Sequence, residues 1–278
     1  MKAVIYQFWE GNLSTGNEAG VKLMKEYADR IGVEHVFELN PSWPSDARIK
    51  RQNLGRYNPH YGAFKPLFDV SFDNYDYILF CDTDVVPRKT YEHIFGEFMQ
   101  MAMDDQVEIG ICEEHMQPEL RSKYNMGGIN SKNDLRWHDL IKQRYGTEMA
   151  KDAKGRHRVF NSGCVMYSAL ARKKAQEKFV DFKDYCSYMA QSGMPPFYQG
   201  DQNYLNAMLP HFKYGIMNYK WNSQVFFEPN TTGDYRPISD YTNDETNFVH
   251  VQLRGADNYN MARLKKVIKY DQRGTRSL

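Results

Sequence analysis

The apolar run Tyr77-Ile78-Leu79-Phe80-Cys81 ends abruptly in Asp82-Thr83-Asp84. A short run with aromatic and β-branched residues reads as a buried strand. Side chains alternate along a strand, so Asp82 and Asp84 converge where the strand meets a loop, provided the backbone stays near extended. Two anionic oxygen donors at one point suit a hard divalent cation, Mn²⁺ or Mg²⁺. In open α/β sheets, ligands bind just beyond the carboxyl ends of the strands. The same two carboxylates also fit a turn in which they only cap the backbone that follows.

The rest of the chain gives that strand its setting. Ala3–Phe8 reads as a first strand, and Asn17–Arg30 as an amphipathic helix stopped by Gly32. His35–Leu39 is a second strand, followed by a basic helix around Ala47–Leu54 and a helix over Tyr61–Phe72 broken near Pro66. Thr90–Met101 predicts a helix and Val107–Cys112 a strand. Glu113–Val159 is polar and reads as an insertion or lid, with a helix at Asp134–Tyr145. Val165–Tyr167 is strand-like and Ala169–Ala190 predicts one helix. Gly200-Asp201-Gln202 opens a short helix to about Leu209; Asn247–Val251 closes the sheet and Met261–Tyr270 is a basic last helix. Strands alternating with helices argue for an α/β fold with a mainly parallel central sheet flanked by helices.

Composition narrows the class. A chain of 278 residues with 41% hydrophobic content can bury one large core. Net charge is +1, so no global basic field points to nucleic acid or a membrane. No apolar run approaches the roughly 18–20 residues that span a bilayer. The N-terminus reads as a strand rather than a leader, and Cys81, Cys112, Cys164 and Cys186 show neither zinc nor disulfide spacing. A cytoplasmic protein is expected.

Five further patterns follow a fixed order: Phe64-Lys65-Pro66-Leu67, Phe160-Asn161-Ser162-Gly163, Gly200-Asp201-Gln202-Asn203-Tyr204-Leu205-Asn206, Tyr219-Lys220-Trp221-Asn222 and Phe248-Val249-His250-Val251. With Asp82-Thr83-Asp84 they resemble, over about four-fifths of the chain, retaining GT-A glycosyltransferases of the glycogenin and lipopolysaccharide galactosyltransferase type. The resemblance implies a single GT-A domain, with a nucleotide-binding half at 1–112, the insertion at 113–159 and a sugar and acceptor half at 160–278. It implies transfer of a sugar from a nucleotide-sugar, a UDP-sugar first, to an acceptor hydroxyl with retention of configuration. Asp82, Asp84 and His250 would hold Mn²⁺ or Mg²⁺ on the diphosphate. Asp201 and Gln202 would act at the reacting sugar. Lys65 would add positive charge near the phosphates or the sugar, and Asn161, with Ser162 and Asn222, would contact the donor. Gln7, Phe8 and Thr83 would line the nucleotide side, Phe8 or Trp9 stacking on the base. Arg254 would stand in for the phosphate-binding lysine that the family carries after its histidine.

Two other readings use the same residues. An inverting enzyme of this fold needs a carboxylate base, for which Glu113 or Glu114 is placed just past a strand. Asp82-Thr83-Asp84-Val85-Val86 also fits the signature of haloacid dehalogenase-type phosphatases, with Asp82 as nucleophile and Asp84 as general acid/base. The acceptor stays open among glycan, protein and modified DNA. The insertion is expected to border it, with Tyr124, Arg136, Trp137 and His138 gripping a ring or a phosphate.

Overall fold

The computed structural model describes residues 1–42, 61–88, 92–114, 128–227, 232, 234–236, 245–253 and 256–274. Strand β1 (Ala3–Trp9) lies at the centre of the first half, its first five residues buried. Helix α1 (Thr15–Ile31) starts where the Ser14 hydroxyl accepts the Asn17 N–H. It stops at Gly32, whose φ of 69° lets its N–H reach back to the carbonyls of Ala28 and Asp29. Strand β2 (Glu34–Leu39) returns beside β1. The helix predicted over Tyr61–Phe72 is instead a four-residue helix α2 (Lys65–Phe68) and a 3₁₀ turn, Val70–Phe72. Pro66 sits in the first turn of α2, where its missing N–H costs nothing, and the Asp69 carboxylate starts the second turn by accepting Ser71 N–H. The basic helix expected around Ala47–Leu54 lies outside the described residues.

Strands β3 (Tyr77–Cys81) and β4 (Val85–Pro87) flank the aspartates, and helix α3 (Ile94–Asp105) leads to β5 (Ile109–Glu113). Helix α4 (Ser131–Tyr145) precedes β6 (Phe160–Ser168). The single helix predicted over Ala169–Ala190 is two, α5 (Ala169–Lys178) and α6 (Phe182–Gln191). Phe179 turns extended and its ring goes into the core against Phe64 and Tyr204, after which Asp181 caps α6. Helix α7 (Asp201–Met208), strand β7 (Tyr214–Ile216) and the short strands β8 (Ser223–Gln224), β9 (Phe226–Phe227), β10 (Asp234–Arg236) and β11 (Phe248–His250) lead to the last helix, α8 (Asp257–Gly274).

The central sheet has the order β2-β1-β3-β6-β5-β7. Five of its strands run one way and β6 runs against them. Alternate residues of β1 and β3 enter two cores: Val4, Tyr6, Ile78 and Phe80 on one face, Ile5, Leu79 and Cys81 on the other. Helices cover both faces. The fold is thus the α/β class expected, with one difference. Strand β11, expected to close the central sheet, belongs to a separate three-stranded sheet ordered β4-β11-β8. Among the described residues no helix is long and apolar enough to cross a membrane.

Of the 113–159 segment, residues 115–127 fall outside the described residues, Tyr124 among them. Helix α4 is no detached lid. Trp137 is only 1% exposed, sits in the larger core and donates from its indole N–H to the Tyr185 hydroxyl at 3.0 Å. His138 is also buried, and Arg136 donates to the Ser192 carbonyl. Trp137 and His138 therefore pack rather than present themselves to an acceptor, because α4 turns its aromatic face inward. Trp137→Ala is expected to cost about 3–5 kcal/mol of folding stability, the usual range for emptying such a position. Chemical denaturation measures this directly, and a loss below about 1 kcal/mol would contradict the packing role.

Candidate metal and active site

Asp82, Thr83 and Asp84 form a tight turn between β3 and β4, closed by Val85 N–H donating to the Asp82 carbonyl at 3.1 Å. The aspartates converge through this turn and not through an extended backbone. Three neighbours hold it. Gln7, fully buried, donates to the Asp82 carbonyl at 3.0 Å, while its own carbonyl oxygen lies 3.0 Å from His35 Nε2. Burial pushes the His35 pKa down to about 4, so the ring is neutral and Nε2–H donates. Thr83 donates to Asn17 Oδ1 at 2.9 Å. Gly20 of α1 lies so close that a Cβ there would stand 2.1 Å from the Thr83 carbonyl oxygen, so only glycine lets α1 seat against the turn.

His250 arrives from the other sheet. The register of β11 with β4 sets it opposite Val85, and Val251 N–H donates to the Asp84 carbonyl at 2.9 Å. Its Nε2 lies 3.3 Å from Asp84 Oδ1 and 3.8 Å from Asp82 Oδ2. One ligand atom from each of the three residues lies within 4.8 Å of the others. Burial favours the neutral ring, but the carboxylates of Asp84, Asp82 and Glu114 outweigh it and leave the His250 pKa raised. Gly163 completes the recess: a Cβ on it would meet His250 Cε1 at 2.4 Å and Asp82 Oδ2 at 2.7 Å.

The triad fits a cation. Two carboxylate oxygens and one imidazole nitrogen converge beside a glycine whose missing side chain keeps the recess open. Two carboxylate oxygens with one imidazole nitrogen suit a divalent cation. The recess opens into a cavity of about 670 Å³. Phe8, Trp9, Asn17, Pro196, Phe197, Gly200, Asp201 and Gln202 line it.

Behind the triad runs a chain of buried amides. Asn222 Oδ1 lies 3.0 Å from His250 Nδ1, and Asn222 Nδ2 donates to Asn161 Oδ1 at 2.9 Å. Asn161 Nδ2 donates to Glu114 Oε2 and to Gln202 Oε1, each at 3.1 Å. Gln202 Nε2 donates to Glu114 Oε2 at 3.0 Å. On the neighbouring strand residue, Ser162 donates to Asp201 Oδ2 at 2.8 Å. Asp201 and Gln202 are the first two residues of α7, so the helix N-terminus favours the Asp201 anion.

The structure thus brings together Asp82, Asp84, His250, Asn161, Ser162, Asn222, Asp201 and Gln202, with Thr83 and Phe8 on the cavity wall. Gln7 instead braces the turn from behind. Lys65 does not line the cavity: its Nζ is buried 2.6 Å from Glu38 Oε1 and 3.8 Å from Asp69. Glu38 also accepts the Tyr6 hydroxyl at 2.8 Å. Arg254 lies outside the described residues. Gln252 was not anticipated. It lies two residues past His250, adopts a positive φ of 55° and brings its amide nitrogen 3.2 Å from His250 Nε2. That i+2 spacing was the available signal. Phe197 carried none.

No family model and no curated protein matches this sequence. Solved structures do resemble it at low identity. A glycosyltransferase involved in the glycosylation of the major capsid of PBCV-1 aligns over 96% of this chain and 98% of its own, with 11% identity and a TM-score of 0.49. Mouse xyloside xylosyltransferase 1 aligns over 81% and 88%, with 12% identity and a TM-score of 0.43. An active-site mutant of LgtC aligns over 80% and 75%, with 16% identity and a TM-score of 0.44. Likeness at this level carries no weight for function, which rests on the site itself.

Proposed function

We propose that the chain is a metal-dependent glycosyltransferase that moves a sugar from a nucleotide-sugar to an acceptor hydroxyl, retaining the anomeric configuration. The observation that carries this is the Asp82–Asp84–His250 triad opening into the same cavity as Asp201 and Gln202. The triad would hold Mn²⁺, which when bound offsets negative charge on a departing diphosphate. Phe8 and Trp9, which line the same cavity, would take the nucleotide base. Asp201 and Gln202 would face the reacting sugar carbon, where a carboxylate and an amide dipole stabilise growing positive charge.

Two features favour this reading over its alternatives. Glu113 is tied to Arg158 at 2.5 Å, and Glu114 is buried with one oxygen accepting two amides; neither is on the cavity wall, where an inverting base would act. Asp82 and Asp84 share their recess with an imidazole, a ligand set rather than a nucleophile with its acid. The test is a mass-spectrometric screen of nucleotide-sugars against mixed glycan, protein and modified-DNA acceptors. Donor hydrolysis or transfer should vanish with EDTA and return best with Mn²⁺. Phosphate-ester hydrolysis without sugar transfer would move the assignment to the phosphatase reading.

A further inference from the structure

The amide chain behind the triad has a direction that its hydrogen bonds fix without ambiguity. Gly163 N–H, which can only donate, points at Asn161 Oδ1 at 2.9 Å. That sets the Asn161 amide: oxygen toward Gly163, nitrogen toward Glu114 and Gln202. Asn222 meets Asn161 Oδ1 and must therefore present its nitrogen there. Its own oxygen then faces His250 Nδ1 at 3.0 Å, and an oxygen can only accept. The ring must therefore carry a proton on Nδ1, and whenever it is neutral its Nε2 lone pair faces Asp82 and Asp84. Gln252 brings its amide to 3.2 Å from Nε2 and can serve that lone pair by donating to it.

Asn161 also has no hydrogen-bonding capacity left. Its two N–H groups go to Glu114 and Gln202, and its two lone pairs receive Gly163 and Asn222. It is buried, at 4% exposure. A sugar contact would have to break one of these bonds.

We infer that Asn161 and Asn222 are positioning residues that lock His250 as the Nδ1–H tautomer, with Glu114 and Gly163 setting the direction of the lock, rather than residues that bind the donor sugar. This rests on the reading that Asp82, Asp84 and His250 hold a cation. Orienting partners of ligating histidines are commonly worth about 10–100-fold in metal affinity.

The lock is read directly by long-range ¹H–¹⁵N correlation on metal-free, ¹⁵N-histidine-labelled protein, at a pH that leaves the ring neutral. The His250 signals are assigned by their absence from His250→Gln. Wild type should show Nδ1 protonated and Nε2 bare. Asn222→Leu removes the acceptor and should shift the ring toward Nε2–H, where the carboxylates attract the proton; its Mn²⁺ affinity by calorimetry should fall about 10–100-fold. Asn222→Asp keeps an acceptor at Nδ1 and should restore the tautomer. An Nε2–H ring in the wild type overturns the inference, and that spectrum decides even if Asn222→Leu fails to fold. Unchanged tautomer or unchanged Mn²⁺ affinity in folded Asn222→Leu overturns it as well. A wild type that shows the Nδ1–H ring but binds no Mn²⁺ sinks the cation reading and leaves the tautomer lock supported.

Discussion

Asp84→Asn should lower donor turnover by about a thousandfold while leaving the protein folded. The Asp84 carboxylate is one of two anionic donors in the triad, and one of its oxygens also accepts Leu253 N–H at 2.9 Å. Asparagine keeps the shape and an acceptor for that N–H but loses the charge. Charge stabilisation by a bound cation is worth several kcal/mol, and about 4 kcal/mol corresponds to a thousandfold in rate. Initial rates over a Mn²⁺ series, with a melting curve on the same sample, check this. Full activity of Asp84→Asn in metal-free buffer would end the metal reading.

Asp201→Asn and Gln202→Ala should each lower kcat about 10²–10³-fold with little change in KM for the donor. Groups aimed at charge that exists only in the transition state act in this way. Both residues are held in place before any ligand arrives, Asp201 by the Ser162 hydroxyl and Gln202 between Asn161 and Glu114. A parallel rise in KM with unchanged kcat would reassign them to simple binding. Proton NMR of the first product reads the configuration: an α-linked product from an α-linked donor is expected. A β-linked product would turn attention to Glu113 and Glu114, and would require one of them to leave its present partners.

The strongly apolar parts of the fold were legible in the sequence. Strands β1, β2 and β3 and helix α1 declare themselves by periodicity and by Gly32, and the expected boundaries fall close to the observed ones. Strand β6 was legible at Val165–Tyr167 and in the segment Phe160-Asn161-Ser162-Gly163 that begins it, although Asn161-Ser162-Gly163 are residues that locally prefer turns. All nine residues of β6 are nonetheless buried, and the amide chain supplies the hydrogen bonds that make this possible for Asn161. The break at Phe179 was hidden because neither Gly nor Pro marks it; a ring entering the core and the Asp181 cap decide it. The metal triad was legible as residues but not as geometry, since the turn at Asp82–Asp84 and the separate sheet of β11 depend on long-range pairing. Lys65 shows the opposite limit. A local pattern gives no warning that Glu38 and Asp69 will engage the lysine.

Asp82 and Asp84 leave the central sheet at the end of β3, while His250 is the last residue of β11 in the smaller sheet. A cation gripped by all three is therefore a removable staple between two structural units as well as a chemical aid. Anything that binds only the folded form stabilises it, by about 2.7 kcal/mol at a hundredfold excess over its dissociation constant. Chelation would then take away cohesion together with catalysis. The protein's endurance in a cell would follow the local supply of the ion, and a starved pool would loosen the end of β11 from the turn that joins β3 to β4.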